Sequence, residues 1–181
     1  MVPEARLAQS GSGLLAATDG WFVGNVREAQ WLVSDHFAAA CGLFEGDEAP
    51  NAQAGFMIGV LLPGQPSGLY HHESNQEDFL VLSGECVALV EGQERPLRAW
   101  DFLHCPPGTD HILVGAGEGP CIVFMAGART AAREIVYPAS ELARRHRAGA
   151  ESETSVPAEA YAPFGRWRSG RPATWDQLPW S

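Results

Sequence analysis

Two short stretches of the chain concentrate side chains that can hold a metal ion or move a proton. The first, YHHESNQED at 70–78, offers Tyr70, His71, His72, Glu73, Glu77 and Asp78. The second, HCPPGTDH at 104–111, offers His104, Cys105, Asp110 and His111. Neutral imidazole with carboxylate suits iron, manganese, nickel or zinc. Two histidines and one carboxylate brought together from separate strands would leave metal positions open for a substrate or for dioxygen. His104 and Cys105 also form a nucleophile-like pair on paper, but a packing role on a strand suits them better. His36 and His146 have no companions in the sequence.

The elements that must position these groups are short and β-prone. WFVGNV, GFMIGVLL, DFLVL, ECVALV, DFLHC, HILVG and CIVFMA are separated by the turn signals EGDEAPN, PGQPSG, SGE, EGQE, PPGTD and GAGEGP. Strands recurring at roughly ten-residue intervals, with no helix between them, predict an antiparallel sandwich or barrel over 20–128. Residues 1–19 read as an N-terminal arm with a short helix near Ala5 to Gln9. The run YPASELARRHRAGA predicts a helix with Ser140 as N-cap and arginines toward its C-terminal end. The rest of 129–181 is rich in proline and tryptophan, and Trp167, Trp175 and Trp180 predict a tail lying extended against the barrel or a neighbouring subunit.

Composition narrows the function classes. The chain has 181 residues, 45% of them hydrophobic and 19% charged, which describes a folded globular domain. Its formal net charge of −10 argues against a nucleic-acid partner. The charge is unevenly spread: 1–128 carries 16 acidic and 4 basic side chains, 129–181 only 6 acidic and 8 basic. A basic tail beside an acidic body suggests docking. Cys41, Cys86, Cys105 and Cys121 lack C-x-x-C spacing and read as structural thiols of a reducing compartment. Neither a leader sequence nor a run long enough to span a membrane is visible, so a cytoplasmic protein without a membrane partner is expected.

The two polar stretches resemble the paired motifs of the cupin superfamily. In the first motif, Glu77 is followed by six residues and Gly84, as in that family. In the second, Pro106, Pro107, Gly108, Thr109, Asp110 and His111 match P-x-G-x-x-H, with Trp100-Asp101 standing where the family usually has Gly-Asp. The resemblance covers about 20–128. It implies an all-β double-stranded β-helix, the jelly-roll cupin barrel, carrying the N-terminal arm, C-terminal helix and aromatic tail as additions. It also implies a metal site of His71, Glu77 and His111. The H-x-H part of the first motif departs from the family: counting three residues back from Glu77 gives His71 and Glu73, counting four gives Tyr70 and His72. The first register supplies two ligand-type side chains, making Glu73 a fourth candidate ligand, with His72 the alternative to His71.

The expectation is therefore a divalent metal, iron or manganese ahead of nickel or zinc, in a small-molecule metalloenzyme of dioxygenase or isomerase type. Tyr70 and Glu73 are the candidate proton carriers, since no lysine is present. The alternative is a ligand-binding or sensor cupin without metal. DFLVL and CIVFMA are apolar on both faces, so their outer faces need covering by the terminal arms or a second subunit, and the resemblance to single-domain cupins implies a homodimer.

Overall fold

The computed structural model describes residues 1–41, 44–46, 49–130 and 133–180, with only the backbone of Ala40 and Cys41. In chain order the strands are β1 (Leu7–Ser10), β2 (Gly13–Ala16), β3 (Leu32–Val33), β4 (Ala39–Cys41), β5 (Ala54–Leu61), β6 (His72–Glu73) and β7 (Glu77–Ser83). They continue as β8 (Glu85–Val90), β9 (Gln93–Arg98), β10 (Phe102–Cys105), β11 (His111–Ala116), β12 (Cys121–Ala128), β13 (Ile135–Val136) and β14 (Arg168–Ser169). Two short helices follow the barrel strands, α1 (Glu141–Arg145) and α2 (Pro157–Ala160).

A seven-stranded sheet in the order β10-β7-β12-β5-β4-β3-β14 and a three-stranded sheet β11-β8-β9 supply the two walls of the barrel. The chain at 66–71 lengthens the smaller wall, bridging Pro66 to Val114 and His71 to His111. Strand alternation divides the apolar residues between two environments. Phe79, Val81, Cys86, Ala88, Cys105, Leu113, Cys121 and Val123 point into the barrel and form its core. Their neighbours Leu82, Leu89, Ile112, Val114, Ile122 and Phe124 point out.

The outer faces are covered by the chain's own C-terminal segment. Trp175, Leu178 and Trp180 pack on Trp31, Ile58, Val60 and Ile122. Trp31 stands edge-on to Trp175 with ring centroids 5.3 Å apart, and β14 pairs with β3. Around α1, Ala143 and Ala148 close over Leu89, Ile112 and Val114. Ser140 caps α1 as expected, its hydroxyl accepting from the Ala143 N–H. Arg147, at φ +61°, ends the helix: its N–H reaches the Arg144 carbonyl and the Ala148 N–H the Ala143 carbonyl. This is the Schellman arrangement with arginine where glycine is usual.

Two local expectations are corrected. Residues 7–16 form a β-hairpin turning at Gly11 (φ +54°), not a helix. WFVGNV forms no strand: Trp21 and Val23 are exposed, and only a single bridge ties Trp21 to Glu4. Part of the turn expected in EGDEAPN lies outside the described residues, as does the Cys41 side chain. The other three cysteines are buried and free. Among the described residues, no helix is long and apolar enough to cross a membrane.

Candidate metal centre

Both stretches singled out in the sequence meet at one end of the barrel because their backbones pair. The His71 N–H donates to the His111 carbonyl at 3.2 Å, and the His111 N–H returns the bond to His71 at 2.8 Å. Residues directly opposite in an antiparallel bridge share a face, so both imidazoles turn inward, with ring centroids 5.1 Å apart. Glu77, the first residue of β7, brings its carboxylate to the same point. Its Oε2 lies 3.5 Å from His71 Nε2 and 3.3 Å from His111 Nε2.

Backbone carbonyls set the tautomers. His71 Nδ1 lies 2.7 Å from the Leu69 carbonyl and His111 Nδ1 lies 2.9 Å from that of Thr109. A carbonyl can only accept, so both Nδ1 atoms carry the proton, and in neutral rings each Nε2 presents a lone pair toward Glu77. The arrangement places lone pairs against a carboxylate oxygen. Accordingly, in the neutral tautomers His111 Nε2 and Glu77 Oε2 face each other at 3.3 Å and find no hydrogen-bond donor among the described residues. Such a cluster needs a cation at its centre, either a proton or a metal.

The same field governs titration. Burial opposes charging of His111, but the Cys105 thiol and the Glu77 carboxylate outweigh it and push its pKa up to about 9. Burial opposes His71 as well, yet Glu77 moves it upward. Burial would raise Glu77, but the two imidazoles hold it down at about 2. A metal ion fits the same donors: with metal–ligand bonds near 2.1 Å, neighbouring donor atoms stand roughly 3.0–3.4 Å apart. The ligand atoms of His71, Glu77 and His111 all lie within 4.8 Å of one another.

Other expected site residues go elsewhere. Glu73 is buried, but its Oε1 accepts from Arg133 Nη2 at 2.8 Å, and it stands outside the His71–Glu77–His111 group. His72 turns to the opposite face, 2.6 Å from Asp110. Tyr70 turns outward with it, its hydroxyl accepting from the Gly92 N–H at 3.1 Å among the residues under α1. His104 pairs with Asp78 on the outside of the sheet while Cys105 is buried, so alternation separates the two. Gln76 donates to Asp78, His36 meets the Arg147 carbonyl, and His146 meets Glu94.

Arg133 and Tyr137, from the segment that reads as a tail, also border this region. Tyr137 is buried with its ring centroid 5.8 Å from that of His71. Burial, with Tyr161, Glu73 and Glu77 adding to it, raises its pKa above the ordinary range. The alternation of Arg133, Ile135 and Tyr137 in a β-prone run was the available signal. A cavity of about 200 Å³ opens over Glu77, walled by Glu73, Arg133, Arg129, Met57, Phe79 and Met125.

A sequence model of the cupin domain matches residues 57–127. These residues form a cupin domain. Both motif glycines follow from its geometry: Gly84 has φ +76°, and a Cβ there would meet the Pro120 carbonyl oxygen at 2.5 Å, while Gly108 has φ +81°. Trp100, at φ +76°, occupies backbone geometry suited to the family's usual glycine.

Among solved structures, a predicted oxalate decarboxylase from Thermotoga maritima is 24% identical with a TM-score of 0.51, over 59% of this chain and 97% of that one. The polyketide cyclase RemF from Streptomyces resistomycificus is 10% identical with a TM-score of 0.53, over 62% and 83%. A chain provisionally named a sugar phosphate isomerase, from Acidithiobacillus ferrooxidans, is 24% identical with a TM-score of 0.44, over 46% of this chain and 55% of its own length. The first two likenesses are of fold. No functionally curated protein matches the sequence.

Proposed function

We propose that this cupin is a metal-dependent enzyme acting on a small oxygen-bearing molecule, of oxygenase or isomerase type. The observation that carries the reading is the buried, unpartnered pair His111 Nε2 and Glu77 Oε2, aimed at each other beneath an open cavity. His71, Glu77 and His111 would hold a divalent ion, iron or manganese ahead of nickel or zinc. Such an ion would polarise a substrate carbonyl or hydroxyl and leave positions open for it.

The chain's own residues supply the rest. The Leu69 and Thr109 carbonyls keep both rings oriented, as the outer hydrogen bonds of metal-binding histidines commonly do. Tyr137, kept protonated by burial and with its ring centroid 5.8 Å from that of His71, would serve as proton donor in the role expected of Tyr70. Phe79, Met57 and Met125 give the cavity an apolar side that limits water around a bound substrate.

The test is metal-reconstituted protein assayed in parallel for dioxygen uptake and for aldose–ketose interconversion by proton NMR. Turnover by either route that is lost on chelation supports the proposal. Metal-loaded protein that binds small oxyacids but turns none over moves it to the ligand-binding class.

We further infer a homodimer. Phe102 on β10, the sheet's edge strand, is 62% exposed and opposite Leu80, which is opposite Phe124. These three residues form an apolar row on the outer face that starts at Phe124, beside the tryptophan cluster, and runs out to the exposed edge at Phe102.

A further inference from the structure

The Glu73–Arg133 pair spans the wall of the cavity. Glu73 is 7% exposed, whereas the Arg133 side chain is 63% exposed. A buried carboxylate is costly unless paired, so Glu73 holds the guanidinium at the cavity rather than leaving it free in solvent. The backbone reinforces this placement. Glu73 pairs with Ile135 across β6 and β13, and the Ser74 N–H donates to the Glu134 carbonyl at 2.9 Å.

Electrostatics then select the ligand. The charged side chains walling the cavity are Glu45, Glu73, Glu77, Arg129 and Arg133. Three carboxylates against two guanidiniums leave a deficit that a divalent ion at the three-residue site converts into a net positive charge, favouring an anion. The two arginines differ in what they can offer. Arg129 directs both Nη atoms at Glu45 and has no free fork. Arg133 meets Glu73 through Nη2 and keeps the rest of an exposed guanidinium. One available guanidinium edge matches one planar carboxylate; a phosphate dianion beside buried Glu73 and Glu77 would need more donors. At about 200 Å³, the cavity is below the usual 300–1,000 Å³ of drug-sized ligand pockets and suits a small acid.

Building on the metal-site reading above, we propose that Arg133 is the specificity-determining residue of the site. Its ligand class is a small carboxylate bearing a second oxygen donor on the adjoining carbon. Arg133 takes the carboxylate, and Glu73 is the positioning residue that sets the guanidinium's angle.

The test uses full-length protein loaded with Mn2+. Its stoichiometry is read first by electron paramagnetic resonance, then glycolate, oxalate, 1,2-ethanediol and inorganic phosphate are titrated by calorimetry. Glycolate and oxalate are expected to bind at least tenfold more tightly than the neutral diol. Arg133→Gln is expected to lose at least tenfold of that affinity with Mn2+ stoichiometry unchanged, and Arg133→Lys to recover only part. The double variant Glu73→Gln/Arg133→Gln removes the unpaired buried charge and is expected to show the same loss if the single variant folds poorly. Equal binding of acid and diol, unchanged affinity in the arginine variants, or tighter binding of phosphate than of both acids would overturn the proposal. Wild-type protein that takes up no Mn2+ fails at the first reading and overturns the metal assignment together with the proposal resting on it.

Discussion

His71 and His111 exchange both backbone hydrogen bonds, at 3.2 and 2.8 Å, so the two motif histidines are direct cross-strand partners. That bridge places their imidazoles on one face and Tyr70 and His72 on the other. With Glu77 facing both Nε2 atoms, it creates a cluster that is electrostatically incomplete without a cation.

A proton and a metal ion compete for that position. His111 rises from 6.5 to about 9 in the folded metal-free protein, so its contribution to stability is fully present below pH 6.5 and is lost as pH rises through 9. Glu77 falls from 4.5 to about 2, so its contribution is present above pH 4.5 and is lost as pH falls through 2. Metal-free protein should melt highest near pH 5–6 and lose stability toward pH 9. Metal affinity should instead rise over that interval, with proton release. Calorimetry in buffers of different ionisation enthalpy reads both; a metal affinity independent of pH from 6 to 9 would contradict the account.

Gly84 closes the first motif where both backbone angle and space exclude a side chain. Gly84→Ala should cost about 2–4 kcal/mol. Urea denaturation measures it, and an unchanged midpoint would show that the turn relaxes freely.

The tryptophan tail is part of the barrel's exterior. Trp175→Ala should cost about 3 kcal/mol by emptying the space beside Trp31. Deleting residues 150–181 should expose the outer apolar cluster around Trp31 and cause aggregation. A truncated chain that stays soluble with an unchanged melting temperature would refute this role.

The row Phe102–Leu80–Phe124 should be a subunit contact. Sedimentation equilibrium is expected to give a dimer for the wild type and a monomer for Phe102→Asp. A monomeric wild type at micromolar concentration would remove the dimer.

Much of the barrel was legible because strand-length apolar runs alternate with strong turn signals, and because the motif spacings around Glu77 and His111 are unbroken. The choice between His71 and His72 was not settled by alternation alone: the intervening SNQ loop breaks the period, and the deciding bond comes from His111. Glu73 reads as a candidate fourth ligand in the sequence, and its pairing with Arg133 is not legible there because Arg133 lies sixty positions away in a segment that reads as a tail. Tyr137, the proton donor proposed above, lies in the same segment, whereas Tyr70 stands out in the sequence only through its place beside His71. The N-terminal hairpin was obscured because its strands are only four residues each and their pattern is weak.

Elemental analysis of untagged protein, wild type beside His111→Ala, tests the central claim most directly, with circular dichroism confirming that the variant is folded. The expected result is about one equivalent of iron, manganese, nickel or zinc in the wild type and its loss in the variant. A wild type that holds none of these ions, even after incubation with each, or a folded variant that keeps its full complement, would contradict the assignment of His71, Glu77 and His111 as a metal centre.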